Sequence, residues 1–196
     1  VRDDPPFFSL GVALWGKSTN TVRSESFPMT TSQQVEKQEL IVSRTFDAPR
    51  DVVWKAYTEP DLVKRWFGPE GFTAPIIESE LRQGGRYLYG MESPDGKNFY
   101  SAGVFKEFSP PERIVATDSF ADEEGNIVPA SYYGLSSDWP LEPEMTVTFE
   151  DLDGRTRMTM REAGIPGGAD LDNAVAGWSQ SLDKLEKLLV EIQGRS

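Results

Sequence analysis

Glu162 is the one side chain in this sequence that spacing marks out for proton transfer. It follows the alternating segment Arg157 to Arg161 and stands two residues before Gly164. A carboxyl buried beside a cavity has its ionised form penalised, so its pKa rises and it can serve as acid or base. The plainer reading is a solvated strand-end carboxylate paired with Arg161 or another base. Asp118 carries the same two readings more weakly. The chain has no histidine and no cysteine. That removes Ser-His-Asp catalysis, thiolate nucleophiles, His- or Cys-ligated metals and disulfides. Acid–base chemistry is left to Asp, Glu, Tyr or Lys, and Glu162 stands as the single catalytic candidate.

A second set of residues suits binding rather than reaction. Tyr87, Tyr89 and Met91 alternate along one strand face. They line a ligand cavity or simply fill the core, since an alternating apolar face is first a burial signal. As a group they pair apolar bulk with polar or polarisable atoms, which suits an adaptable binding surface. Trp66 shapes a cavity mouth or staples a helix pair to a sheet. Trp178 closes a pocket wall or anchors a long helix. Tyr133 and Met160 complete the candidate lining. The aromatic stretch Tyr132 to Trp139 reads as a lid or as a surface crossover. Asp122, Glu123 and Glu124 lack the alternating oxygens of a calcium loop and read as a solvated turn. Gly84-Gly85 has no strand–loop–helix around it, so it is no dinucleotide fingerprint. No metal or cofactor is expected.

These residues need elements to hold them. Leu40 to Phe46 reads as a strand. Asp47-Ala48-Pro49 can open a helix, with Asp47 accepting from orphan N–H groups and Val52, Val53, Ala56 and Tyr57 as its apolar face. Pro60 breaks it, and residues 61–66 form a second short turn ended by Gly68-Pro69. Strand-like segments follow at 72–81, 86–92, 99–108, 113–120, 145–149 and 157–161, with hairpin turns at Pro94-Asp95-Gly96 and Asp153-Gly154. Leu171, Val175, Trp178, Leu182, Leu185, Leu189 and Ile192 step by three or four. That is one apolar stripe on a helix of about 22–24 residues, with Asp170 as cap and Gly194 beyond its end. Few helices interrupt the strands, so the fold class is α+β with a twisted antiparallel sheet, not a parallel doubly wound one. The final helix is the only element large enough to cover the sheet's apolar face. A straight helix across a concave sheet need not fill the space between them, and side-chain size sets whether a void remains.

Composition narrows the partners. The balance of 20 basic against 32 acidic residues, −12 net, excludes a nucleic-acid binder and disfavours an anionic membrane surface. No apolar run reaches the ~18–20 residues that insert into a bilayer. The lack of cysteine fits a cytoplasmic setting. Residues 1–36 lack periodicity and read as a disordered N-terminal extension to a domain at 37–194. Met29 precedes a sequence that reads like a natural start, so residues 1–28 are expected to be upstream sequence.

Asp47-Ala48-Pro49, Val53-Trp54-Lys55-Ala56, Trp66-Phe67-Gly68-Pro69, Gly84-Gly85-Arg86-Tyr87, Pro110-Pro111-Glu112-Arg113 and Gly177-Trp178 to Leu189 stand in the order of a known family. The chain resembles the START-like (SRPBCC) superfamily, and within it the Hsp90-ATPase-activator-homologue type of domain. Tyr132-Tyr133-Gly134 and Gly164-Ile165-Pro166 are similar to one bacterial branch. The resemblance implies a helix-grip fold: the sheet wraps a long C-terminal helix, with two short helices after the first strand. It also implies a cavity for a small hydrophobic or amphipathic, lipid-like molecule, bound without covalent chemistry. A cyclase- or hydrolase-type enzyme using a buried carboxylate and Tyr is the alternative. A chaperone-type protein partner follows from fold analogy alone. Relatives of that branch often carry histidine near the positions of Tyr133 and Glu162; this chain has neither.

Overall fold

The structure, a computed structural model, describes residues 36–194. The tail expected over residues 1–36 therefore lies, but for Glu36, outside the described residues. The chain runs β1 (Lys37–Phe46), α1 (Arg50–Thr58), α2 (Pro60–Val63), β2 (Thr73–Ser79), β3 (Arg86–Glu92), β4 (Asn98–Ser109), β5 (Arg113–Thr117), β6 (Ser119–Ala121), a 3-10 turn (Ala130–Tyr133), β7 (Glu144–Asp151), β8 (Thr156–Pro166) and α3 (Ala169–Gln193).

The strands form one eight-stranded sheet in the order β1-β8-β7-β5-β4-β3-β2, with β6 on β4. Every pairing is antiparallel. β1 and β2 are neighbours in sequence but occupy opposite edges. Their connection carries α1 and α2, while the other long connection, between β6 and β7, carries the 3-10 turn. Later strands return toward β1 mostly by hairpins. α3 closes the arrangement by packing on β1, β8 and α1.

α3 has 25 residues, roughly 37 Å at ~1.5 Å per residue. Trp178, Leu182, Leu185 and Leu189 on its stripe are buried, as the spacing predicts. Its N-cap is Gly168, not Asp170, which stands in the first turn where a carboxylate suits the helix dipole. Asp47 does not cap α1 either. Pro49 occupies that place without a side-chain bond, and the Asp47 carbonyl accepts from Gln193 Nε2 at 3.0 Å. β8 runs five residues past Arg161, because Gly164 at φ 83 forms a bulge where the β1 register shifts between Gln38 and Glu39.

The single strand expected at 113–120 is broken at Asp118. The Asp118 N–H donates to Pro143 O at 2.9 Å, one position beyond the Thr117–Glu144 pair of β5 and β7. Thr117 Oγ1 accepts from Val104 N at 3.0 Å, filling the gap left in the β4 ladder. Opposite lies Gly103, where any Cβ would collide with the Thr117 carbonyl. The glycine lets the two backbones close up, and Asp118 stays on the inward face shared by Ile114, Ala116 and Phe120, as alternation dictates.

Candidate functional site

Between the sheet's concave face, the α1–α2 pair and α3 lies a cavity of about 60 Å³. Aromatic rings occupy most of the gap. Tyr57 stacks on Trp66 with centroids 5.4 Å apart, Phe67 meets Tyr89 edge-on at 5.2 Å, and Tyr87 lies 5.5 Å from Phe105. Trp178 reaches in from α3, 6.0 Å from Phe67. Leu81 in the β2–β3 loop lines the same space and is exposed, so the cavity meets solvent there.

The inward face of β4 explains why space remains. Phe99, Ser101, Gly103 and Phe105 alternate along it, and two small residues between two phenylalanines leave a notch. Ser101 is 1 % exposed, lines the cavity, and its Oγ has no hydrogen-bond partner. Beside it the Tyr87 hydroxyl lies 2.8 Å from Thr117 O and 3.0 Å from Asp118 Oδ1, donating toward both.

Asp118 fronts the cavity with no basic side chain in the lining. Burial pushes its pKa up to about 6, against the opposing pull of the Tyr87 hydrogen bond. Burial also raises Tyr57, helped by the charges of Tyr89 and Asp118, and raises Tyr89 to about 12. A second cavity of about 10 Å³, room for one water, lies on the other side of Asp118 and Trp178. Glu162 and Trp139 face it.

Glu162 shares the inward face of β8 with Met158 and Met160 and is 5 % exposed. Arg161 points the other way and pairs with Glu39 at 3.1 Å. The solvated, Arg161-paired reading of Glu162 is therefore wrong: strand alternation places neighbouring side chains on opposite faces. Burial, then the Asp118 charge, raises Glu162 well above the carboxylate range.

Of the residues singled out from the sequence, Trp66, Tyr87, Tyr89 and Trp178 come together around the cavity. Trp66 is wall and staple at once, since its Nε1 donates to Ala56 O at 2.8 Å. Met91 and Met160 are buried in the core but do not line the cavity. Met91 fills the space above Gly68. Tyr133 stands apart from the cavity: its hydroxyl accepts from Tyr100 N at 3.1 Å and donates to Ala121 O at 2.6 Å, fastening the 3-10 turn to β4 and β6. Tyr132 to Trp139 does not lie over the cavity mouth; Leu135 and Trp139 of that stretch are buried. Tyr57, Ser101 and Phe105 were missed. The signal for Ser101 was present, a lone hydroxyl among aromatics on an inward strand face.

A wider groove of about 540 Å³ opens on the opposite face of the sheet, among Glu78, Arg86, Leu88 and Val104. Its polar, open lining makes it a surface depression. The acidic turn after β6 is held by Asp122, whose carboxylate accepts from the backbone N–H groups of Glu124 and Asn126 at 3.1 and 2.8 Å. Among the described residues no cluster of carboxylates is arranged to hold a metal ion, and no helix is long and apolar enough to cross a membrane.

A twisted antiparallel sheet gripping one long C-terminal helix, with an apolar cavity between, defines the helix-grip class of α+β domains. The chain belongs to the family described as activator of Hsp90 ATPase homolog 1-like protein, whose model matches residues 47–190. A protein of Chromobacterium violaceum is 27% identical with a TM-score of 0.64, over 77% of this chain and 96% of that one. One from Mycobacterium smegmatis is 27% identical with a TM-score of 0.63, over 83% and 97%. A Nitrosomonas europaea protein, 24% identical with a TM-score of 0.64 over 80% and 96%, shares the fold. No curated protein matches the chain.

Proposed function

We propose that the protein binds a small amphipathic molecule, non-covalently, in the cavity between sheet and α3. The observation that carries this reading is the unpartnered, buried Ser101 hydroxyl facing a largely apolar cavity that Asp118 also lines. A buried polar group without a partner is uncommon, because it loses about 1–3 kcal/mol of solvation, and a ligand's polar end would satisfy it. The aromatic walls would supply affinity at ~25 cal/mol per Å² buried. The volume constrains the size. About 60 Å³ holds only a few waters at ~10–15 Å³ each, whereas pockets for drug-sized ligands run to ~300–1,000 Å³. A long-chain lipid does not fit unless Trp178 and Leu81 swing outward. Short amphipathic molecules are the favoured class, and a cytoplasmic setting accords with the cysteine-free composition.

Native mass spectrometry of the protein purified from its own cells tests this. A small molecule should be retained, and filling the notch by Ser101→Phe should abolish its retention. Protein that carries none, and takes up none of a library of short amphiphiles, would discard the reading.

A second reading rests on Asp118 and Glu162. A carboxyl held protonated inside an apolar site can act as general acid, which keeps an enzyme of the cyclase or hydrolase type in view.

A further inference from the structure

We infer that the ligand is a small organic monocation, its charged end seated at Asp118 and its apolar part lying among the tyrosine and tryptophan rings. This rests on the cavity being a binding site and adds which chemical class it takes. Three observations carry it.

The first is the make-up of the lining. The main cavity and the small one behind it contain two carboxyl groups, Asp118 and Glu162, and no lysine or arginine. The groups facing Asp118 are Tyr87 from β3, Tyr57 from α1, Tyr89 from β3 and Glu162 from β8, all neutral or acidic. A buried carboxylate normally finds a cation within the protein; here none of the surrounding elements supplies one.

The second is the walls. Tyr57, Trp66, Tyr87, Tyr89 and Trp178 turn rings toward the same space. Ring faces carry negative quadrupole density and attract an ammonium group, most strongly where water is excluded. The third is Ser101 Oγ, buried and unbonded on the cavity side of β4, an acceptor waiting for a donor such as N–H.

Burial raises both carboxyls, and the charge of Asp118 raises Glu162 further, so the pair resists carrying two negative charges at once and a single positive charge suits it. An anionic ligand meets the pair's negative charge head on, and a neutral one leaves it unpaired.

The probes are n-butylamine, butan-1-ol and butyrate, equal in chain length and different in charge. Binding is followed by NMR at the indole N–H of Trp66 and Trp178, in 0.3 M NaCl to suppress loose attraction to the acidic surface. Butylammonium should bind at least tenfold more tightly than butanol, and butyrate should not bind. Lowering the pH from 7.5 to 5 should weaken butylammonium roughly tenfold, because Asp118 takes up a proton while the amine keeps its own. Asp118→Asn should reduce the amine to the level of the alcohol. The pH series on the unaltered protein carries the same test should that variant fail to fold. Alcohol binding equal to amine binding overturns the monocation inference and leaves the binding cavity standing. Shifts confined to residues outside the cavity, or no shift with any probe, overturn both.

Discussion

Asp118 and Glu162 show how strand alternation can carry a carboxyl into an apolar interior and so set its chemistry. Asp118 faces inward because it keeps the alternation of Ile114 and Ala116 into the cavity wall, and its N–H bonds to Pro143 just beyond the β5–β7 pairs. Its pKa of about 6 against the ordinary 3.8 is a statement about stability. The folded protein holds this proton more tightly than the unfolded chain does. Stability contributed by the protonated form is present below about pH 4 and is lost as pH rises through 6. At ~1.36 kcal/mol per pH unit the loss is about 3 kcal/mol. Asp118→Asn should therefore flatten the fall in urea midpoint between pH 4 and 7.5. Burial raises Glu162 in the same sense, so Glu162→Gln should cost least at the acid end of that series, where the native carboxyl is protonated too. An Asp118→Asn profile parallel to the unaltered protein's would refute the assignment of that proton.

At the scale of elements, α3 is held over the cavity by more than its apolar stripe. Lys184 Nζ reaches across to Gly68 O at 2.9 Å, Phe72 O at 3.2 Å and Pro69 O at 3.4 Å. Those carbonyls belong to the segment between α2 and β2, where Gly68 takes a φ of 90 that L side chains avoid. Burial lowers the Lys184 pKa. Lys184→Met keeps the stem and leaves three carbonyls without their donor, a loss of about 1–3 kcal/mol. Thermal unfolding should drop by roughly 2–12 °C, taking ~2–4 °C per kcal/mol for a chain of this size. Hydrogen exchange at the α3 amides near Lys184 should quicken in parallel. A melting point within 1 °C of the unaltered protein's would mean that packing alone holds the helix.

For the whole molecule, the chain order of the sheet matters most. β1 and β2 close opposite edges, so the domain is complete only when β1 has paired with β8, and that pair is joined through Lys37↔Pro166. We propose that residues 37–194 are the folding unit. A chain lacking residues 1–36 should keep its unfolding temperature within about 2 °C and its cooperative transition. Loss of the single transition would show that the missing segment belongs to the core.

Much of the architecture was legible in the residue pattern. A 3.6-residue apolar stripe and alternating strands separated by Asp-Gly or Pro-Asp-Gly turns are local signals, because helix and strand periods follow from the backbone alone. α3, the two hairpins and the α+β class were read from these. The site was legible only in part. Trp66, Tyr87, Tyr89 and Trp178 were found because bulky aromatics on an inward face must meet something. Met91 and Met160 carry the same signal yet fill core, since which inward residue borders a void depends on neighbours far away in the chain. Alternation turns Asp118 and Glu162 inward, but their burial depends on the α3 and β7 side chains that cover them, and the notch at Ser101 on what stands across from it. Those are long-range contacts. Sequence determined the elements and the stock of carboxyl and aromatic groups; tertiary packing decided which of them share one cavity and how large that cavity is.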